Sequence, residues 1–292
     1  MQADEILNPD DYGSPAAYVR LGGRGTVDGS AEVGSDAKPF VLDDGLIRTL
    51  HFTTAFVQSE MNIGQPDMLI LRYTRKMMAF LLFCPRPEHV IIVGLGGGSL
   101  TKFCYRQLPR ARITTVEIDE DVIKWAHLFQ VPVDRQRISI VHADATEYFA
   151  ATEERADVIL VDGCDAHGTA PVFCNESFYR NLRARLRPRG VLVVNLVGSA
   201  EVVKIHQHFI AAVFASRLVV LDVSNEGNRV AFAFNDPWRP PDWVDMHRDA
   251  KRLLRRHGLD FPAFARKLQR SYERQAIGTP RIADQAAWKV EK

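Results

Sequence analysis

The sequence predicts an α/β fold with a doubly wound, mainly parallel sheet, preceded by a small N-terminal β-hairpin domain. First, a β-branched apolar run, Val90 to Val93, leads directly into the glycine-rich turn Gly94 to Gly98, as a buried parallel strand followed by a helix does. Second, the strand Ile113 to Val116 ends in Glu117, roughly 20 residues later, the spacing at which an acidic side chain reaches a ribose. Third, strand and helix patterns alternate after residue 90, which favours a parallel sheet with crossover helices.

Length and composition narrow the class of protein. A chain of 292 residues suits one large domain with a smaller appendage. A net charge of +1 with 46% hydrophobic residues is ordinary for a soluble enzyme and argues against a general nucleic-acid binder. No apolar run approaches the roughly 20 residues that span a bilayer, and the polar N-terminus does not resemble a secretory signal. We therefore expect a cytoplasmic protein with neither nucleic acid nor membrane as partner.

The cysteines predict neither disulfides nor a metal site. They lack CxxC spacing and lie in or beside predicted core elements, so reduced structural thiols are expected, with no zinc. The four residues are Cys84, Cys104, Cys164 and Cys174.

The chain divides into four segments. Residues 1–38 are rich in Gly, Ser, Asp and Ala and are interpreted as a flexible leader in which short strands could form. Residues 39–72 show short runs with turn signals, including the hairpin signal Asp44-Gly45, and predict a small β domain. Residues 73–240 are expected to form the catalytic α/β domain, and residues 241–292 a helical tail. The basic run Lys251 to His257 in that tail is interpreted as a solvated helix face.

Within the third segment each element follows from its pattern. Tyr73 to Phe83 has helical length and is stopped by Pro85 and Pro87. Ser99 is expected to cap a helix that begins near Leu100. Strands are predicted at 90–93, 113–117, 138–141, 157–161 and 190–196, with helices at 99–108, 119–129, 145–151, 175–186 and 199–215. Residues 217–223 and 229–235 then predict two further strands, interpreted as an antiparallel closing pair.

The glycine turn predicts a binding site for a cofactor that contains a nucleoside. Gly94, Gly96, Gly97 and Gly98 lack the Cβ atoms that keep a ligand from the backbone, and they permit positive φ. Glycine also serves tight packing, and Ser99 stands where the third glycine of a dinucleotide motif would fall. Later motifs must therefore decide which cofactor binds.

Three carboxylates follow the ends of later strands and predict the chemistry. Asp144, Asp162 and Asp165 would gather at the carboxyl edge of the sheet, where open parallel sheets bind ligands. Such acids can accept from an adenine amino group, attract a cationic substrate or take a proton, although each could simply cap a helix or turn. A protonated amine must lose a proton before it attacks carbon, and a carboxylate can orient it and accept that proton.

These motifs resemble the spermidine synthase (polyamine aminopropyltransferase) family, within the AdoMet-dependent methyltransferase superfold with its Rossmann-like sheet. The resemblance spans roughly residues 40 to 235. It is carried by YTRKMM, VIIVGLGGGSL, VEIDEDVIKWA, VHADATEYF, ADVILVDGCDAHGTAP with Phe178 and Tyr179 after it, and RGVLVVNLV.

The family implies a role for most of these positions. Glu117 and the adjoining Ile118 would hold the ribose end of the donor. Asp144 and Ala145 would hold its adenine. Asp162 would deprotonate the attacking amine, and Asp165 would help to bind the polyamine beneath a gating loop, residues 163–171. The resemblance also implies a homodimer, decarboxylated S-adenosylmethionine as donor, a small amine or polyamine as acceptor, and no metal.

Several departures from the family pattern keep the reaction open. Gly97 replaces the aspartate that holds the donor amino group, Thr74 and Arg75 replace a Gln-Glu pair after Tyr73, and DGCDA loosens DSSDP. Loss of an acid and gain of Arg75 would favour S-adenosylmethionine, which keeps its carboxylate. Aminopropyl transfer to a putrescine-like amine is therefore weighed against an AdoMet-dependent N-methyltransferase on a small or protein amine, and against a catalytically idle binding module.

Three further residues are candidates for the acceptor side. Gln58 and Tyr73 are expected to line the substrate pocket. His167 is either a second proton acceptor, because its ordinary pKa suits neutral pH, or a plain loop residue. Trp238 and Trp243 in the tail are interpreted as packing residues.

Overall fold

The N-terminal part of the chain forms a four-stranded sheet. The computed structural model describes residues 18–20, 39–52, 57–165, 168–223 and 227–278, so the predicted leader lies outside the described residues except for β1 (Tyr18–Arg20). Strand β1 pairs in parallel with β2 (Phe40–Asp43), and β3 (Ile47–His51) and β4 (Val57–Asn62) continue the sheet in antiparallel order. The hairpin at Asp44-Gly45 is confirmed: Gly45 has φ +87°, and the Asp44 side chain accepts from the amide of Ile47 at 2.7 Å.

A mainly parallel sheet of seven strands forms the body of the protein, which confirms the predicted fold class. Its order is β12-β13-β11-β8-β5-β6-β7. Among the described strands of this sheet, β13 alone runs in the direction opposite to the others. The antiparallel pairing of β12 and β13 was predicted. The strands are β5 (His89–Val93), β6 (Arg112–Glu117), β7 (Ile138–His142), β8 (Ala156–Val161), β11 (Leu186–Leu196), β12 (Leu218–Asp222) and β13 (Arg229–Phe234), and a separate two-residue ladder joins β9 (Cys164–Asp165) to β10 (Gly168–Thr169).

Helices cover both faces of this sheet. They are α1 (Arg72–Met77), α2 (Ser99–Gln107), α3 (Glu120–Lys124), α4 (Ala145–Ala151), α5 (Glu176–Ala184), α6 (Ala200–Val213), α7 (Trp243–His257) and α8 (Phe261–Gly278). Alternate residues of β5 belong to different apolar clusters, Val90 and Ile92 to one, Ile91 and Val93 to the other. The sheet is therefore buried on both faces, as a parallel sheet requires.

Three local predictions were wrong. The helix expected over 73–83 is α1 followed by a 3₁₀ turn, Met78–Leu82, and the helix expected over 119–129 ends at Lys124 before a 3₁₀ turn, Trp125–His127. Both changes occur where apolar side chains become buried, because tertiary packing overrides helix propensity. Ser99 is the first residue of α2 and not its cap; Gly98, at φ +66°, makes the turn into the helix.

The tail packs on the central core, and the three cysteines whose side chains the structure describes are free. Trp238 and Trp243 contact the cluster that includes α7 and α8, which confirms their packing role. Cys84, Cys104 and Cys174 are unpaired. No helix within the described ranges is both long enough and apolar enough to cross a membrane.

Candidate active site

A cavity opens at the carboxyl ends of β5, β6 and β8 and is closed on one side by the N-terminal sheet. Phe52, Gln58 and Ser59 supply the N-terminal wall, while Tyr73 and Thr74 come from α1. The remaining lining residues are Val93, Gly94, Leu95, Gly96, Ser99, Leu100, Val116, Glu117, Ile118, Asp119, Ala143, Asp144, Ala145, Asp162, Gly163, Ala170, Val172 and Phe173. This is the crevice at which open α/β sheets bind ligands.

The four glycines of the predicted loop divide into two pairs. Gly94 and Gly96 line the cavity. A Cβ on Gly94, at φ +89°, would lie 2.4 Å from the Asp162 carbonyl oxygen, so the ends of β5 and β8 touch there. Gly97 and Gly98 are not among the lining residues, and each packs against side chains: a Cβ on Gly97 would lie 2.6 Å from Ser59 Oγ, and one on Gly98 would lie 2.4 Å from Val131. Packing therefore accounts for the second pair, and an aspartate at position 97 could not be built without displacement of Ser59.

Glu117 ties the glycine loop to the end of β6. Its Oε2 accepts from the amide of Leu95 at 2.7 Å, and its Oε1 accepts from the amides of Ile118 and Asp119 at 2.8 and 3.0 Å. The side chain is 8% exposed and that exposure faces the cavity it lines. The carboxylate is thus held rigidly where a ribose hydroxyl can donate to its remaining lone pairs.

Asp144 caps α4 and also lines the cavity. Its Oδ1 accepts from the amides of Thr146 and Glu147 at 2.6 and 3.3 Å and from the Thr146 hydroxyl. Burial opposes ionisation of this carboxyl, but the bonds from Thr146 and Glu147 outweigh it and lower the pKa. All these bonds use one oxygen, so Oδ2 is the atom suited to an adenine amino group. Ala145 lies beside it, and Ile118, 63% exposed, completes this end of the cavity.

Asp162 lies at the end of β8 with a donor on each carboxylate oxygen. Asn195 Nδ2 donates to Oδ1 at 2.8 Å, and the Tyr73 hydroxyl donates to Oδ2 at 3.1 Å. Burial raises the pKa of Asp162 to about 6, and the two hydrogen bonds, which favour the ionised form, oppose that rise. At neutral pH the group is a carboxylate of raised basicity, as a general base requires.

The other predicted acceptor-side residues are only partly brought together. Gln58 and Tyr73 line the cavity as expected. The backbone of Asp165 lies in β9, three residues after Asp162. The side chain of Asp165 and the whole of His167 lie outside the described residues. Arg75 does not line the cavity; its guanidinium donates to the carbonyls of Leu69 and Ile70 at 2.6 and 2.8 Å. The argument from Arg75 for a donor carboxylate therefore fails.

The charged side chains in the described lining of the cavity are all acidic. Glu117, Asp119, Asp144 and Asp162 line it, and the described lining contains no Lys, Arg or His. Like charges gathered in one crevice repel one another unless a cation relieves them. The cavity is therefore complementary to a ligand that carries more positive than negative charge.

Sequence reasoning missed Phe52, Ser59 and Asn195. The first two reach the cavity only because the N-terminal sheet packs on the carboxyl edge of the larger sheet, which no local pattern reveals. Asn195 did carry a signal, since it is the one polar residue in the buried run VLVVNL at the end of β11.

Comparisons with known proteins agree with the fold described above. Residues 70–218 match the model of the spermine/spermidine synthase domain. A polyamine aminopropyltransferase from Neisseria meningitidis is 35% identical over 249 residues, which are 84% of this chain and 90% of the relative. A probable spermidine synthase from Corynebacterium glutamicum has the same fold, with a TM-score of 0.62 and 18% identity over 73% of this chain and 83% of its own. Human methyltransferase-like protein 13, solved in complex with SAH, has a TM-score of 0.56 and 26% identity over 63% of this chain and 93% of its own.

Proposed function

This chain belongs to the spermine/spermidine synthase family, and we propose from that premise that it transfers an aminopropyl group from decarboxylated S-adenosylmethionine to an amine acceptor. The acceptor is a putrescine-like diamine or a polyamine. The observation that carries the proposal is the acidic cavity, whose described lining has four carboxylates and no Lys, Arg or His.

The charge of the donor discriminates between the two reactions. Decarboxylated S-adenosylmethionine carries a sulfonium and an ammonium group and no anion, whereas S-adenosylmethionine also carries a carboxylate. A carboxylate brought into this cavity would be desolvated beside like charges and without a cationic partner, which is unfavourable. The dicationic donor and the cationic acceptor instead relieve the repulsion among the acids.

The residues of this chain supply binding, orientation and a base. Glu117 accepts from the ribose hydroxyls and Asp144 Oδ2 from the adenine amino group. The sulfonium makes the transferred carbon electrophilic and leaves as a neutral thioether. Asp162, oriented by Tyr73 and Asn195, holds the acceptor amine and takes its proton, directly or through water, as the nitrogen attacks that carbon. Asp165, Gln58 and His167 would hold the far end of the acceptor.

N-methyl transfer from S-adenosylmethionine is the second candidate. It is favoured by the likeness to human methyltransferase-like protein 13, solved with SAH, and by Gly97, which leaves no acid on the glycine loop to hold a donor ammonium. Both reactions use the same attack by an amine on a carbon attached to sulfur, so Asp162 would serve either.

Side-by-side calorimetric titration with the two donors tests the proposal. We expect the decarboxylated form to bind at least about 10-fold more tightly, a difference of about 1.4 kcal/mol, and to yield an aminopropylated product with putrescine. Tighter binding of S-adenosylmethionine, with a methylated amine as product, would make the protein a methyltransferase. Binding of neither donor would leave a binding module that has lost the reaction.

We extend the proposal to a homodimer, as the family resemblance implies, and to a cytoplasmic protein that needs no metal, as composition and cysteine usage indicate. Light scattering on the purified protein tests the assembly. Turnover measured before and after exhaustive treatment with a chelator tests the metal, and an unchanged rate is the expected outcome.

A further inference from the structure

A buried amide lies directly behind Asp162. Asn195 is near the end of β11, and the register of Val194 with Val161 places it next to Asp162 on the neighbouring parallel strand. Its side chain is 2% exposed. A polar group buried to this extent in an apolar strand must be hydrogen-bonded to be tolerated.

Two side-chain hydrogen bonds of this amide form a series in which each donor points toward Asp162. Asn195 Nδ2 donates to Asp162 Oδ1 at 2.8 Å, and Asn195 Oδ1 accepts from Asn228 Nδ2 at 3.0 Å. Asn228 precedes β13, and its carbonyl accepts from the amide of Val223, which follows β12, at 2.9 Å, so this backbone bond holds it in place. Three side chains from three strand ends are thus connected in series.

The polarity of the series is set by the carboxylate at its end. An ionised carboxylate has only acceptor atoms, so Asn195 must present its NH₂ group to Asp162 and therefore its oxygen to Asn228. Asn228 must in turn present its own NH₂ group. Reversal of either amide would bring an oxygen against an oxygen.

We propose that Asn195 and Asn228 are positioning residues for the reaction, Asn195 by fixing the plane of the Asp162 carboxylate and Asn228 by fixing the orientation of the Asn195 amide. Tyr73 bonds the other oxygen of the same carboxylate, so donors on both oxygens prevent its rotation. The inference rests on the proposed role of Asp162 as the base. It adds a residue outside the cavity lining, Asn228, that acts only through Asn195.

The two substitutions of Asn228 that differ in polarity distinguish positioning from packing. Asn228→Ala removes the donor but leaves Asn195 able to face Asp162. Asn228→Asp has nearly the same shape and places a carboxylate against Asn195 Oδ1, so the Asn195 amide reverses and turns its oxygen toward Asp162. We expect kcat to fall roughly 3-fold for Asn228→Ala. For Asn228→Asp we expect a fall at least about 10-fold greater, because the hydrogen bond from Asn195 to the Asp162 carboxylate is lost and replaced by repulsion between two oxygens. Asn235→Ala, at the opposite end of β13, is the control and should leave kcat unchanged.

The pH dependence provides a readout that packing alone would not move. The acid limb of the kcat/KM profile should shift to higher pH in Asn195→Leu, which removes the donor to Asp162, and further in Asn228→Asp, which also turns an oxygen toward the carboxylate. The same shift should appear in the ¹³C titration of the Asp162 side chain in the unliganded protein, with the signal assigned by Asp162→Asn. Equal kcat for the two Asn228 variants, with an unmoved Asp162 titration, would overturn the inference.

The two proposals fail in different ways. If the wild-type protein transfers no aminopropyl group, the proposed function fails, while the ¹³C titration still tests the hydrogen-bond series. If the wild type is active and the Asn228 variants titrate like it, only the positioning role fails. The Asn228 variants alter a half-buried turn residue and do not disturb the core, so the test holds even where Asn195→Leu does not fold.

Discussion

At the scale of single residues, Asp162 shows how a fold produces a base from an ordinary acid. Its pKa is raised to about 6, mainly by burial, while Asn195 and Tyr73 keep the ionised form accessible. The raised pKa means that the carboxylate is fully ionised only above about pH 7. Turnover should therefore decline as the pH falls through 6, as Asp162 takes up a proton.

Asp162→Asn tests this directly. We expect kcat to fall by a factor on the order of 100 or more, with donor affinity nearly unchanged and with loss of the acid limb from the residual pH profile. Steady-state kinetics between pH 5 and 9 and donor titration provide the two measurements. A variant that turned over at the wild-type rate would assign proton removal to another group.

Glu117→Gln tests the carboxylate that holds the glycine loop. One of its two oxygens becomes an NH₂ group facing a backbone amide, either that of Leu95 or those of Ile118 and Asp119. We expect donor binding to weaken by roughly 1–3 kcal/mol, because buried donors lose an acceptor. Glu120→Gln is the matched control: it removes an acid of the same type three residues away, exposed and paired with Lys124, and should leave the affinity unchanged.

The residues that sequence reasoning identified share one property. Glu117, Asp144 and Asp162 each follow the end of a parallel strand, and those ends meet at one edge, so local patterns predict their convergence. Gly97 fitted the same pattern but packs against Ser59 and Phe129, because a glycine that admits a ligand and one that admits a side chain have the same sequence signature. Ser59 comes from a different sheet, and its position depends on packing that no local pattern carries.

At the scale of elements, α2 carries a buried lysine behind the glycine loop. Lys102 is 1% exposed; its Nζ donates to the carbonyl of Phe129 at 2.7 Å and contacts Met61 Sδ at 3.1 Å. Burial lowers the pKa of Lys102 to about 7. The lysine thus connects α2 to β4 and to the segment that packs on Gly97.

The depressed pKa makes a prediction about stability and pH. Between pH 7 and the unfolded pKa near 10.4, the unfolded chain binds a proton at Lys102 that the folded protein does not, so this residue makes folding more favourable as the pH rises. We expect the unfolding free energy of the wild type, relative to that of Lys102→Met, to increase by about 2 kcal/mol from pH 7 to pH 9. Denaturant unfolding at the two pH values measures it.

Lys124→Met provides the control for this prediction. Lys124 lies on the surface of α3 and pairs with Glu120 at 2.9 Å, which raises its pKa. The difference in unfolding free energy between Lys124→Met and the wild type should therefore stay constant between pH 7 and pH 9. A constant difference for Lys102→Met as well would show that Lys102 remains protonated in the fold across this range.

Element types were predicted more successfully than element lengths. The alternation of strand and helix from β5 to β11 and the antiparallel β12–β13 pair follow from hydrophobic pattern, turn residues and the requirement that a parallel strand be buried. The helices over 73–83 and 119–129 were too long in the prediction. Their apolar residues, such as Met78 and Trp125, are buried in 3₁₀ turns whose tighter winding is decided by what they pack against.

At the scale of the whole molecule, one arginine links the two sheets. Arg48 of β3 pairs with Asp43 of β2 and donates to the carbonyl of Leu128, beyond α3. Asp43 is 3% exposed, so this ion pair is largely removed from water. The N-terminal sheet, which carries Ser59 and Gln58 to the cavity, is held to the larger sheet at this point.

Removal of the arginine should therefore be more harmful than removal of both charges. Arg48→Met removes the cation that pairs with the buried Asp43 carboxylate and should destabilise the protein by roughly 3 kcal/mol. The double variant Asp43→Asn with Arg48→Met keeps the bond from the amide of Gly45 and should recover part of that loss. Thermal and denaturant unfolding of the three proteins measure the difference; equal stability of the single and double variants would show that the Asp43 carboxylate costs nothing after Arg48 is removed, and would contradict the prediction.

The cavity wall built by the N-terminal sheet has a consequence for recombination between relatives. The segment that matches the family, residues 70–218, contains Glu117, Asp144 and Asp162, but Phe52, Gln58 and Ser59 precede it and Asn228 follows it. A chimera that exchanged only this segment with a relative would join Asp162 and Asn195 of one parent to the N-terminal cavity wall and residue 228 of the other. Crossovers that respect sequence similarity alone would therefore separate residues that act together, and functional chimeras should require exchange points before β2 and after β13.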